Sequence, residues 1–410
     1  MLLFLGKKKC FLFILGTCIL TFCYLKANIP RSSTTHSKPV RYKPFPQYCS
    51  PFLSRRGAPW QWRDRLSESY FTTKEPNCSR IAEELHFITA PLSREEEEYP
   101  LAFIITIHKE LELFMRLLRA IYAPQNVYCI HVDAKASQQY MTIVRQLASC
   151  FPNVFLATAR EKVTYAGFSR LKADLNCMAD LARSSIPWKK VINLCGEDFP
   201  LKSNLELVQY LRNKPWDKLN MTPGIKQPPS MRYRIQIPYE EINHSYMAPK
   251  GKKYRKGPPP HNLDIYFGTA YYALTRPFVD FVLRSTVAKD LLEWSRDTYS
   301  PDEHYWVTLN HLKDAPANNL EGKWSGDIRA LKWKHYEEVK HKGCKGMYVR
   351  NICVFSLEDL LWVTNKHSMF ANKFQMQLFP KAVHCMELWH RQKVLRQAEV
   401  PIQPEWRLII

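Results

Sequence analysis

The chain has 410 residues, 46% of them hydrophobic and 13% aromatic, and a formal net charge of +21. Its length and apolar content exclude an intrinsically disordered protein and allow one to three domains. The charge suits a polyanionic partner, with nucleic acid the first class to weigh.

The N-terminus, MLLFLGKKKCFLFILGTCILTFCYLK, argues against nucleic acid. Lys7 to Lys9 precede an uncharged apolar run from Cys10 to Leu25, and positive charge on that side keeps the end cytosolic. As a helix the run rises about 24 Å, tolerable in the thinner early secretory membranes. The reading is a cytosolic tail over 1–9, a single signal anchor over 10–25 and a stem over 26–77, whose start is rich in Pro, Ser, Thr and basic residues. A cleaved signal peptide is the alternative, although no A-x-A site follows. The remainder, 78–410, is then lumenal.

Cysteine usage fits that compartment. Beyond Cys10, Cys18 and Cys23 there are nine cysteines, an odd number, and none has C-x-x-C spacing. Disulfides are therefore expected before a zinc site, with one thiol left over. Acceptor sequons occur at Asn77, Asn220 and Asn243. The acidic run SREEEEY at 93–99 reads as a solvated turn.

From residue 101 the pattern alternates. LAFIITI (101–107) is a buried strand, and Leu113, Phe114, Leu117, Leu118 and Ile121 share a helix face that stops before Pro124. VYCIHVD (127–133), a helix over 137–150, NVFLA (153–157), a helix over 169–184 and VINLC (191–195) continue the alternation. This predicts an α/β fold with a mostly parallel central sheet, whose ligands lie at the carboxyl ends of the strands. His108, Asp133 and the CGEDFP loop fall there. After about residue 213 the pattern fades into Pro- and Lys-rich stretches, MTPGIKQPPSMRYRIQIP through APKGKKYRKGPPP, which read as binding loops or flexible insertions.

No G-x-G-x-x-G, P-loop, H-E-x-x-H, G-x-S-x-G or D-x-D is present. A diphosphate ligand would need side-chain cations instead. Residues 299–306, YSPDEHYW, leave two readings of Glu303 open. With Ser300 as N-cap and Pro301 at the first helical position, Glu303 closes a capping box. Set among Tyr299, His304, Tyr305 and Trp306, it could equally serve a sugar site. Trp333 and Tyr336 could stack on a sugar or pack as a pair.

The stretches LLRAIYAPQNVYCIHVDAKA, SRLKADLNCMADL, INLCGEDFPLKSNLELVQYL, DTYSPDEHYW, VRNICVF and FANKF resemble the core 2 and I-branching β-1,6-N-acetylglucosaminyltransferases. The similarity runs from about Cys78 to Cys385 and is nearest the I-branching group in LNMTPGIKQPP. It implies a GT-A-like fold and inverting transfer of N-acetylglucosamine from UDP-N-acetylglucosamine to a galactose or N-acetylgalactosamine 6-hydroxyl, with no cofactor and no divalent metal. Glu303 matches the catalytic base. Arg350 and Lys373 match cations that hold the diphosphate, while Asp133, Tyr165, Thr106, Ile107 and His108 match nucleotide contacts. Trp333, Tyr336, Arg232 and Arg234 are the candidates for the acceptor side, where the family's acid has no evident counterpart. The resemblance also implies the pairs Cys49 with Cys385, Cys78 with Cys150, Cys129 with Cys177 and Cys344 with Cys353, leaving Cys195. The expected setting is a Golgi membrane, single-pass type II, with glycan chains as partners and no nucleic acid. A transferase using UDP-xylose and a glycan-binding paralogue without turnover are the alternatives.

Overall fold

The computed structural model describes Cys49, residues 78–251 and residues 253–408. The tail, the anchor, Asn77 and the stem apart from Cys49 lie outside the described residues. Among the described residues no helix is long and apolar enough to cross a membrane.

Helices α1 (Cys78–Glu84) and α2 (Arg94–Glu97) lead into the expected alternation: β1 (Leu101–Ile107), α3 (Leu111–Ile121), β2 (Val127–Val132), α4 (Gln138–Ser149), β3 (Val154–Leu156), α5 (Phe168–Ala182) and β4 (Lys190–Cys195). Next come β5 (Asp198–Pro200), α6 (Asn204–Arg212), β6 (Gly224–Lys226), α7 (Tyr233–Gln236), β7 (Tyr239–Ile242), β8 (Tyr246–Pro249), β9 (Tyr266–Gly268) and β10 (Ala273–Thr275). The chain continues through α8 (Arg276–Arg284), α9 (Thr286–Trp294), α10 (Tyr305–Asn310), β11 (Arg329–Ala330), β12 (Met347–Val349), β13 (Ile352–Val354), α11 (Leu360–Thr364), β14 (Phe370–Asn372) and α12 (Pro380–Arg396). The Pro- and Lys-rich stretch is more ordered than its sequence suggests, since β6 pairs with β9 and β7 with β8.

The central sheet has the order β10-β4-β1-β2-β3, parallel except for β10 at the edge. Side chains alternate across a strand, so β1 feeds two cores. Leu101, Phe103, Ile105 and Ile107 pack with Phe114, Leu118 and Val144 on one face. Ala102 and Ile104 pack with Leu171, Met178 and Leu181 on the other. Helices on both faces explain why β1 is apolar almost throughout.

This order has a functional consequence. The chain runs outward from β1 to β2 and β3, then returns by α5 to place β4 on the opposite side of β1. A crevice opens at the carboxyl ends of strands where the direction reverses. His108 and Lys109 follow β1 there, and Gly196 and Glu197 follow β4, with the Gly196 amide bonded to the Thr106 carbonyl at 3.1 Å. A third core, including Phe199, Phe355 and Phe374, supports the C-terminal elements beside this crevice. Among the described residues four disulfides join Cys49–Cys385, Cys78–Cys150, Cys129–Cys177 and Cys344–Cys353, and Cys195 is a free thiol.

Two polar readings need correction. Glu96 in the acidic run is buried, accepting from Ser93 Oγ at 2.9 Å and Asn204 Nδ2 at 2.8 Å. Asn220 is no glycan acceptor in the folded chain, because it is 0% exposed and its amide is fully engaged. Nδ2 donates to Asn310 Oδ1 at 3.1 Å and the Pro316 carbonyl at 2.9 Å, while Oδ1 accepts from the Thr275 amide and hydroxyl, both at 2.9 Å. Asn243, by contrast, is exposed where β7 turns into β8. Asn220→Ala strands buried donors and should cost about 3 kcal/mol, lowering the Tm. Glycopeptide mapping should find Asn220 unmodified; an occupied Asn220 would contradict this packing.

Candidate active site

Glu303 lies in a 3-10 turn, Pro301–Glu303, and α10 begins only at Tyr305. The capping-box reading is not what the chain adopts. Ser300 takes a left-handed conformation, φ 47° and ψ 62°, and its side chain caps nothing. The Ser300 amide donates to the Ala166 carbonyl at 2.8 Å, which ties the turn to the loop carrying Tyr165. Left-handed backbone at a non-glycine residue is strained and tends to be retained at functional sites. With no cap to close, the Glu303 carboxylate pairs with the guanidinium of Arg234 on α7.

Burial raises the Glu303 pKa above the ordinary carboxylate range, while the charge and hydrogen bond of Arg234 pull it back. Asp302 beside it is also raised, by burial and by the neighbouring carboxylates Glu303 and Asp174, against the pull of Arg170. Arg234 is itself held by rings, its guanidinium 5.1 Å from the Phe267 centroid and 5.4 Å from that of Tyr299.

A buried network supports the turn from beneath. Asp174 on α5 accepts from Arg170 at 2.5 Å, Asn193 at 3.1 Å and Tyr272 at 3.0 Å. Glu241 on β7 accepts from the Ser169 amide at 2.8 Å and hydroxyl at 2.9 Å, closing the start of α5. Gly167 is required there, because a Cβ would stand 2.5 Å from Glu241 Oε1.

Tyr165 is exposed, with the Arg350 guanidinium 4.6 Å from its ring centroid. Partial desolvation, then the charge of Glu303, raises the Tyr165 pKa. Arg350 and Asn351, at φ 50° and 64°, form the two-residue turn between β12 and β13. The Cys344–Cys353 disulfide braces this hairpin from behind. Asp359 beside it is engaged by Lys332 Nζ at 2.6 Å and the amides of Lys345, Gly346 and Ser356, so this Cys, Cys and Asp grouping is a brace. Trp333 adjoins the same hairpin through a bridge to Ile352, and the Lys334 amide bonds to the Asn351 carbonyl at 2.9 Å. Trp333 and Tyr336 are not a simple packed pair, since His335 lies 5.5 and 4.3 Å from their rings.

Lys373 reaches the hairpin from β14. Its carbonyl accepts from the Phe355 amide at 3.0 Å, and its ammonium lies 3.4 Å from Glu197. Glu197 also faces Lys109 at 3.2 Å and accepts from Gln375 at 2.5 Å. Burial, then Lys109, lowers the His108 pKa against the opposing pull of Glu197 and Asp133. Asp133 caps no helix, that task falling to Ser137; it accepts from the Lys135 amide at 2.8 Å and the Val163 amide at 3.4 Å. Ile107 is buried, and the Thr106 hydroxyl, in register with His131, has no partner.

Glu303, Arg234, Tyr165 and Arg350 thus form one cluster, and Lys373, His108 and Asp133 gather around Glu197 and the strand ends. Arg232 is exposed and stands outside both, and Lys226 is taken by the exposed Asp264 at 2.8 Å. Sequence reasoning placed the CGEDFP loop at the strand ends without singling out Glu197, and missed Lys109 beside His108.

A sequence model described as Core-2/I-Branching enzyme matches residues 101–364. The chain is 49% identical to a human protein named probable beta-1,3-galactosyl-O-glycosyl-glycoprotein beta-1,6-N-acetylglucosaminyltransferase 7, covering 95% of this chain and 93% of that one. It is 47% identical to the Sus scrofa protein of the same name, over 95% and 92% of the two chains. With a human N-acetyllactosaminide beta-1,6-N-acetylglucosaminyl-transferase it shares 50% identity, over 82% and 83%. The α/β fold and these matches define a glycosyltransferase. Within that class, the chain belongs to the core-2/I-branching enzyme family.

If Glu303 must be ionised to act, Arg234→Gln should move the acidic limb of the kcat/KM profile to higher pH, because removing the cation raises the carboxyl pKa further. An unmoved limb would show that the pair does not tune the acid.

Proposed function

We propose that this chain transfers N-acetylglucosamine from UDP-N-acetylglucosamine to the 6-hydroxyl of a galactose or N-acetylgalactosamine residue on a glycan, with inversion and without a metal ion. The observation that carries this reading is the half-buried Glu303 carboxylate, held by Arg234 in one cluster with the Tyr165 whose ring lies under Arg350. The names of the relatives support the linkage and the sugar.

In this reading Glu303 accepts the proton of the acceptor hydroxyl as its oxygen attacks the anomeric carbon. The bond from that carbon to the diphosphate breaks on the opposite face, and its electron pair leaves with UDP. A single base suffices for inversion. Arg350 offers a planar fork and Lys373 a point charge to the departing diphosphate, where charge grows most in the transition state. His108, Asp133 and Glu197 border the place of the nucleotide at the strand ends, in a GT-A-like arrangement. Trp333 stands on the acceptor side as a ring for a sugar face. The proposed setting is the Golgi lumen, with residues 10–25 as a type II anchor.

The test uses the full-length chain in detergent with labelled UDP-N-acetylglucosamine and a panel of O-glycan core and lactosamine acceptors. A β-1,6-linked product, made equally with EDTA present and not competed by UDP-xylose, is expected. Loss of turnover on chelation would overturn the metal-free mechanism. Glu303→Gln keeps the shape but not the base and should lower kcat by about 10²–10⁴. Lys373→Ala should lower kcat about 10²-fold or more if its charge meets the leaving diphosphate.

A further inference from the structure

The stretch Ala248–Pro260 holds five cations, Lys250, Lys252, Lys253, Arg255 and Lys256, and the reaction above uses none of them. Lys250, Tyr254, Arg255, Lys256 and Asp297 line a cavity of about 320 Å³. Its floor is neutralised. Lys256 is nearly buried, pairs with Asp297, donates to the Trp294 carbonyl at 2.7 Å and lies 4.6 Å from the Trp294 ring centroid. Lys250 and Arg255 stand exposed at the mouth, so the rim is positive while the acid below is already paired.

The cavity is linked to the acceptor side of the site. Asp297 lies two residues before Tyr299, whose ring is 5.2 Å from Tyr239, 6.4 Å from Tyr233 and under the Arg234 guanidinium. The Tyr299 amide bonds to the Arg234 carbonyl at 2.9 Å, and the Lys256 amide to the Gln236 carbonyl at 2.9 Å. His304, next to Glu303, lies within the field of both Lys256 and Arg234, which join burial in pushing its pKa down to about 3. Tyr299 therefore joins the Glu303–Arg234 pair to the segment of Asp297, with the exposed Tyr233 beside it and Tyr239 buried against it. Tyrosine rings offer an apolar face and a polar tip, which suits a sugar chain laid across them.

We propose that this cavity is a subsite for an anionic group, a sulfate ester or a sialic-acid carboxylate, carried on the acceptor glycan away from the reacting hydroxyl. The inference deepens the transfer reading and rests on it for the direction of the acceptor chain. Exposed ion pairs are individually weak. A group tethered to a bound sugar meets them at high effective concentration, which makes weak contacts count.

The test compares binding to the full-length chain, without donor, of three lactosamine oligosaccharides of one length: neutral, 6-sulfated and sialylated. At least one anionic probe should bind about five-fold tighter than the neutral one at low salt, with the preference falling as salt rises. The two anionic arms tell which group the cavity takes. The double variant Lys250→Gln and Arg255→Gln, with an unchanged Tm, should abolish the preference and leave neutral binding within about two-fold. Equal binding of all three probes, or a preference that survives the double variant, would overturn the subsite. In a parallel assay with UDP-N-acetylglucosamine, turnover of the neutral probe without any anionic preference in binding would reject the subsite and keep the transfer reading; anionic preference without turnover on any probe would reject the transfer reading and leave an anion-binding glycan site.

Discussion

Desolvation pushes the Glu303 carboxyl pKa up, and the cation set against that push is Arg234. The pair sets two demands that the rest of the fold meets. The turn carrying Glu303 must aim its side chain toward the short helix carrying Arg234 and away from the chain's own helix start. The guanidinium must then be prevented from moving off into solvent. Ser300 meets the first through its left-handed backbone and its bond to Ala166, and the Phe267 and Tyr299 rings meet the second.

The same elements fix what surrounds the pair. Glu241, on a hairpin inserted between the sheet strands in sequence, closes the start of α5, and α5 carries the Arg170 and Asp174 charges that underlie the turn. The Tyr165 loop is held just after the tyrosine, by Ser300 at Ala166 and by the start of α5. Donors and charges fixed before substrate arrives need not reorganise as charge develops, which is where most electrostatic catalysis arises.

The strand and helix alternation over 101–195 was legible because each element buries a continuous face, so its period is written locally. The strand order then located the crevice. What sequence could not show was which partner wins a polar side chain. Ser300, Pro301 and Glu303 satisfy every local rule for a capped helix, yet the contact from Ser300 to Ala166 and the pair from Glu303 to Arg234 cross large sequence separations and override it. Asn220 and Thr222 spell an acceptor sequon, but Asn310 and Thr275 draw both side chains into the interior. Glu96 sits in a run of like charges from which only the fold selects the buried member. The family resemblance supplied Arg350, Lys373 and the disulfide pairs, none of which follows from local pattern.

Glu197 shows why the cations at the strand ends need an acid among them. Lys109 and Lys373 would repel one another at the strand ends of the unliganded protein, and Lys373 is largely buried, where an uncompensated ammonium is costly. One carboxylate between two ammonium groups satisfies both and keeps them near the crevice. Arg350 escapes the same difficulty by lying exposed over a tyrosine ring, where water and the ring face share its charge. In the proposed reaction, Lys373 and Arg350 meet the phosphates, while Glu197 and Asp133 are the acids at the strand ends beside them. The leaving diphosphate therefore meets cations already held apart from one another, and the hairpin that ties Arg350 to the Lys373 backbone keeps them on one rigid unit as the glycosidic bond breaks.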